Sequence, residues 1–281
     1  HTNTPSLREG CGGCQVVFGY KLFVMKHSLT LVKVGGAVVE DDARLDALLA
    51  AFASVDGRKV LVHGGGRRAT AIASRLGVET QMVGGRRITD QAMLEVVTMV
   101  YGGLVNKNVV ARLQACGVDA IGLTGADGGV ILSHRRPVKD VDYGFVGDVE
   151  RVDGDRLAHF IEEGLVPVLA PLTHDGRGQM LNTNADTIAG EAAKALAARY
   201  DVTLVYCFEK PGVLADPGDD ASLIPVITRQ DFERLAADGT VSGGMLPKLE
   251  NAFSAISAGV SRVNITLSTA IDGRHGTIIL P

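Results

Sequence analysis

The chain has 281 residues, 46% of them hydrophobic and 21% charged, with a formal net charge of −4. That length accommodates one large α/β domain, or two lobes on a continuous sheet, around a sizeable core. The balance is that of an ordinary soluble globular protein, which argues against nucleic acid as a partner, and no run of about 18 apolar residues is present to cross a membrane.

Residues 1–24 carry neither helical nor strand period, and Met25 followed by KHSLTLVKVGG reads as a natural start, so 1–24 are expected to be an extension. The apolar run Val16–Met25 is broken by Gly19 and Lys21 and lacks a small-residue cleavage site, which argues against a signal peptide. Cys11 and Cys14 form a CxxC without the further ligands that zinc requires. Cys116 and Cys207 read as free core thiols of a helix and a strand, a usage that fits a reducing, cytoplasmic setting.

Two β-branched runs stop on glycines: LVKVGG at 31–36 and KVLVHGGG at 59–66. A buried strand ending on glycines lets backbone N–H groups close around a phosphate, and a following helix adds the positive end of its dipole. Lys33 lies inside the first run, where a buried cation needs an anionic partner. A helix is expected near 40–54, with Leu45, Leu48, Leu49 and Phe52 on one stripe, and a second carries Ala69, Ile72, Ala73 and Leu76 and stops at Gly77. QMVGGRRIT reads as a hairpin, and Asp90 opens a long helix to about Cys116. Strands are expected at 118–122, 129–132, 144–149 and 165–172, then a helix at 186–199 and a strand at 202–208. A loop from Pro211 to Asp220 leads to helices near 228–238 and 246–259 and to the closing strands RVNITL and GTIIL. The βαβα alternation predicts a three-layer αβα sandwich around a mainly parallel sheet. A boundary is placed at residue 200: residues 25–200 would bind a small substrate and dimerise, and residues 201–281 would bind the nucleotide.

LNTNAD at 181–186 sets Asn182, Asn184 and Asp186 before an alanine-rich helix, where local capping is the plain explanation. SGGMLPK at 242–248 brings Lys248 to a helix start, where a surface lysine is the plain explanation. Together, two glycine loops, two lysines beside glycine turns and one carboxylate are the parts needed to hold and neutralise a polyphosphate. Neither GxxxxGK[ST] nor GxGxxG is present. His63 reads as a structural histidine bonding the loop backbone.

The ordered set LVKVGG, VHGGG, GGRRITD, VNK, GLTGADG, LNTNADTIA and GGMLPK resembles the acetylglutamate kinase group of the amino acid kinase family, from about residue 29 onward. The resemblance implies the amino acid kinase fold and phosphorylation of the side-chain carboxylate of an N-acylated glutamate by ATP with Mg2+, in arginine biosynthesis. It assigns Lys33 and Lys248 to the phosphoryl group in flight and Asp186 to holding both lysines. Gly35, Gly36 and Gly65 would give N–H groups to phosphate, and Gly64 and Gly65 would also line the acyl-glutamate site. Arg87 matches the clamp on a substrate carboxylate, and Asn182, with Asn184 nearby, matches a partner of the substrate backbone. The group has no dedicated protein metal site.

Many relatives carry Ser or Thr followed by Asp before the PGVL turn; here Phe208 and Glu209 stand there, so Glu209 is the candidate nucleotide contact. YGGLVNKN, VKDVDYGFVGDV and APLTHDG resemble a subgroup that includes N-succinylglutamate kinases, for which Arg86, Lys107 and Lys139 are candidate additional cations. The alternatives are a sister kinase acting on carbamate, aspartate or a nucleoside monophosphate, and a non-catalytic ligand sensor. GGRRIT and LNTNAD oppose the first, and joint retention of Lys33, Asp186 and Lys248 opposes the second. Residues 1–24 lack the amphipathic period of the helix that links arginine-sensitive relatives into hexamers, so a homodimer insensitive to arginine is expected.

Overall fold

The computed structural model describes residues 26–243, 245–272 and 274–281. The expected extension and the Cys11/Cys14 pair lie outside them.

In chain order, β1 (Ser28–Val34) leads through the short α1 (Gly36–Glu40) and α2 (Asp42–Ala53) to β2 (Arg58–His63) and α3 (Gly66–Arg75). The hairpin β3 (Met82–Val83) and β4 (Arg86–Arg87) precedes α4 (Gln91–Val97), a π-helical stretch Thr98–Val105, and α5 (Asn106–Ala115). Then come β5 (Ala120–Leu123), β6 (Ile131–Arg135), β7 (Gly147–Val152), α6 (Gly154–Glu162), β8 (Val166–Leu169), β9 (Leu172–His174), β10 (Met180–Asn182) and α7 (Ala185–Ala197). The last part holds β11 (Asp201–Phe208), β12 (Val226–Ile227), α8 (Arg229–Ala237), α9 (Met245–Ser257), β13 (Arg262–Leu267) and β14 (Thr277–Ile279).

Eight strands form one sheet in the order β12-β14-β13-β11-β1-β2-β8-β5, parallel except where β13 meets β14. Strands before residue 200 make one half and strands after it the other, joined where β1 pairs with β11. A smaller sheet, β10-β9-β6-β7, lies beside it.

The pleat of β1 explains the layering. Leu29 and Leu31 enter the core shared with α6, α7, α8 and α9, whereas Val32 and Val34 enter the core shared with α2, α3, α4 and α5. Burial on both faces explains why β1 carries apolar residues on both sides of its pleat. The same alternation turns Lys33 to the side of Leu29 and Leu31, toward α7, and register with β11 sets it beside Tyr206.

Several expectations need correction. The helix near 40–54 is present as α2, but the short α1 that precedes it was not expected: Asp41 ends α1 with extended backbone and caps α2 by accepting from the Arg44 N–H. The expected strand 165–172 divides: β8 stays in the main sheet, and after Ala170 and Pro171 the chain enters the small sheet as β9. The helix from Asp90 is continuous only through the π-helical stretch. Cys116 is exposed at the end of α5 and is not a core thiol, whereas Cys207 is buried.

Candidate active site

The two glycine loops lie side by side at the carboxyl ends of β1 and β2. The Gly64 N–H donates to Val34 O at 3.0 Å, and a Cβ on Gly64 would sit 3.0 Å from Gly36 N. Gly35 starts α1 and Gly65 caps α3 at φ +156, a backbone that L side chains rarely adopt. A Cβ on Gly65 would also lie 3.1 Å from the Tyr101 ring.

One cavity opens on each side of this contact. The first is lined by Gly64, Gly65, Gly66, Arg86, Arg87, Tyr101, Asn182 and Asn184, among others. The second is lined by Gly35, Gly36, Gly66, Arg67, Phe208, Glu209 and Lys248, among others. Gly66 belongs to both, so the cavities meet at the start of α3. The first-turn N–H groups of a helix lack intrahelical acceptors and carry its positive dipole end.

Three charged side chains converge beside the loops. Lys33 is 7% exposed, and its Nζ lies 2.6 Å from Asp186 Oδ1. Asp186 stands in the first turn of α7, where a carboxylate also complements the helix dipole. Lys248, half-buried in the first turn of α9, sits with Nζ 3.8 Å from the centre of the Phe208 ring, and Lys33 Nζ lies 5.4 Å from the same ring. Burial pulls the Lys248 ammonium below the usual lysine range, against an opposing pull from Asp186 and with added repulsion from Lys33. Asp186 thus holds Lys33 directly and influences Lys248 through its charge, while Phe208 is the platform shared by both cations.

Two lysines and a carboxylate beside a double glycine loop are the arrangement expected of a phosphotransferase without a Walker loop, and comparison with known proteins agrees. The amino acid kinase family model matches residues 28–266. The chain belongs to the amino acid kinase family. An acetylglutamate kinase of Phocaeicola vulgatus is 66% identical over 255 residues, covering 91% of this chain and 99% of that protein. A solved protein of Streptococcus mutans UA159 superposes with TM-score 0.73 at 28% identity, covering 89% of this chain and 98% of that one. Giardia carbamate kinase shares the fold, with TM-score 0.65 at 15% identity over 92% of this chain and 99% of that one.

Within this amino acid kinase, the other sequence-derived residues sort by geometry. Asn182 ends β10, lines the first cavity and donates to Thr89 Oγ1 at 3.0 Å. Asn184 accepts from the N–H groups of Asp186 and Thr187, so capping accounts for its side chain even though it borders the same cavity. Arg87 is buried and borders the cavity, but its guanidinium is already tied within the protein. Its Nη2 donates to Gly66 O and Thr70 Oγ1, both at 2.8 Å, and its Nη1 donates to Thr80 Oγ1 at 3.3 Å. Arg87 therefore fixes the start of α3 as well as charging the cavity. Glu209 lines the second cavity, exposed, 3.8 Å from Arg67.

Of the three candidate additional cations, only Arg86 lines the first cavity. Lys107 donates to Asn106 Oδ1 and Gly122 O, and Lys139 borders a separate surface cavity beside β6 and β7. His63 is fully buried and pulled down to about 4 by burial, which keeps it neutral. Its Nδ1 bonds Gly64 O at 2.7 Å, as expected of a structural histidine.

Sequence reasoning missed Tyr101 and Arg67 and misjudged Phe208 as a mere departure. An aromatic ending an apolar strand was the available signal for Phe208, although the two lysines over it are distant in sequence. Tyr101 had none, because its direction depends on the π-helical stretch.

Proposed function

We propose that this protein transfers the γ-phosphoryl group of ATP to the side-chain carboxylate of N-acetyl-L-glutamate, giving an acyl phosphate and ADP, as a step of arginine biosynthesis. The meeting of two cavities at Gly66, one of them lined by Lys248 and by the Phe208 ring that also carries the Lys33–Asp186 pair's cation, is the observation that carries this reading. The relatives named acetylglutamate kinase supply the acceptor.

The acceptor occupies the cavity of Gly64, Gly65, Arg87 and Asn182, and ATP, bringing Mg2+ on its phosphates, occupies the cavity of Gly35, Gly36, Glu209 and Lys248. A glutamate side chain ionises near pH 4.3, so at neutral pH it is already a nucleophile and requires no base. A carboxylate oxygen forms a bond to the γ-phosphorus as the bond to the β-γ bridging oxygen breaks, and the electron pair leaves with ADP. The obstacle is repulsion between two anions. Lys33, Lys248 and the glycine-loop N–H groups offset it where charge accumulates, and Asp186 keeps Lys33 aimed.

Arg86 supports a second acceptor within the same chemistry, because a cation beside Arg87 in the first cavity suits the extra carboxylate of N-succinyl-L-glutamate. The working form is a cytoplasmic homodimer without arginine inhibition. ADP release, measured side by side with the two acyl-glutamates and with neither, tests the reading: acyl-dependent release supports it, and release no faster than the acceptor-free background with both acyl forms overturns it.

A further inference from the structure

His63, Asn106 and Lys107 form a hydrogen-bonded chain that ends on the phosphate loop, and its donor and acceptor order is determined by the groups at its ends. Lys107 Nζ, which can only donate, contacts Asn106 Oδ1 and Gly122 O at 3.0 Å each. Asn106 Nδ2 therefore donates, to Val168 O at 2.9 Å and to His63 Nε2 at 3.1 Å. That leaves Nε2 as acceptor and places the imidazole proton on Nδ1, where it donates to Gly64 O at 2.7 Å. Asn106 is 1% exposed and His63 0%, and a Cβ on Gly122 would fall 1.9 Å from Asn106 Oδ1, so the Asn106 amide and the imidazole are tightly enclosed.

Gly64 is thereby held on both sides: its N–H, in the preceding peptide, bonds Val34 O, and its C=O, in the following peptide, accepts from His63. A trans peptide sets its N–H opposite its C=O, so the Gly65 N–H is turned away from His63. Gly36 packs close to this peptide: its Cβ position would be 3.4 Å from Gly65 N and 3.5 Å from Gly66 N. This is the meeting point of the two cavities.

We infer that His63 is a positioning residue whose single tautomer, set by Asn106 and Lys107, aims the Gly65 N–H at the transferring phosphoryl group. The inference rests on the proposed phosphotransferase reading, and its effect falls on the chemical step, because a donor aimed at developing charge is worth more in the transition state than in the ground state. An asparagine at position 63 places an amide N–H near the former Nδ1 and can still donate to Gly64 O. A glutamine reaches the former Nε2 and cannot.

The test compares wild type, His63→Asn and His63→Gln in full steady-state kinetics, alongside the Gly65 amide resonance in 15N-labelled protein titrated with a non-hydrolysable ATP analogue and Mg2+. We expect His63→Gln to lose about 10- to 100-fold in kcat with KM for the acyl-glutamate changed less than about threefold, and His63→Asn to recover most of the loss. The Gly65 resonance should shift with nucleotide in wild type and His63→Asn but not in His63→Gln. Equal kcat in all three, or equal losses in both variants, overturns the inference. If wild type turns over neither acyl-glutamate, the proposed function fails while the amide resonance still decides the positioning role: an unmoved Gly65 signal in wild type refutes it.

Discussion

At the scale of single residues, the site depends on one buried cation and its counter-ion. Breaking a buried pair leaves an unsolvated charge and typically costs about 3–5 kcal/mol. Asp186→Ala strands the more buried charge and should lose about 3 kcal/mol in denaturant unfolding, whereas Lys33→Met leaves a carboxylate that retains some exposure and should lose less. Both should lower kcat by at least about 100-fold. Gly65→Ala should impair stability and activity together, since its φ is +156 and its Cβ would press on the Tyr101 ring. His63 adds a pH dependence whose sign is fixed. Its folded value near 4 lies below the ordinary 6.5, so the unfolded chain binds the extra proton first and stability falls as pH drops through that window, by about 3 kcal/mol in all. Unfolding free energies measured between pH 7 and 4 should show this loss, and it should be absent in His63→Asn.

At the scale of elements, what was legible in the sequence depended on length and periodicity. β1, β2, β11 and β13 are strands of six to eight residues rich in β-branched and apolar side chains and could be read directly. The β3–β4 hairpin was visible in its glycine pair, and Gly84 and Gly85 do adopt φ of 56° and 74°. β9 and β10 were not legible: each has three residues, too short for any period, and β9 continues the same apolar run as β8. The π-helical stretch Thr98–Val105 was equally hidden, because nothing in TMVYGGLV separates it from the α-helices on either side, yet it places Tyr101 in the cavity lined by Gly64, Arg87 and Asn182. The motif LNTNAD was legible as chemistry but not as a division of labour: Asn182 faces Thr89, Asn184 caps α7, and Asp186 reaches Lys33. Asn184→Ala should therefore lower stability by about 1 kcal/mol and, by loosening the first turn of α7, reduce kcat more than it raises KM; chemical denaturation and steady-state kinetics check the two effects.

At the scale of the molecule, one sheet brings the two halves of the chain together at β1 and β11, and each half contributes one lysine to the ring of Phe208. The parallel order was legible from βαβα alternation. The shared platform of Phe208 was not, because it requires the register of Lys33 with Tyr206 and the arrival of α9 from about 40 residues further on. The central claim is that this junction delivers phosphate to a carboxylate and not to water. The most direct measurement traps the product with hydroxylamine, which converts an acyl phosphate to a hydroxamate, during turnover of ATP with N-acetyl-L-glutamate and, in parallel, N-succinyl-L-glutamate. The account predicts hydroxamate in amounts matching the ADP released with at least one of the two, and none with Lys33→Met; ADP release without hydroxamate from either acceptor would contradict it.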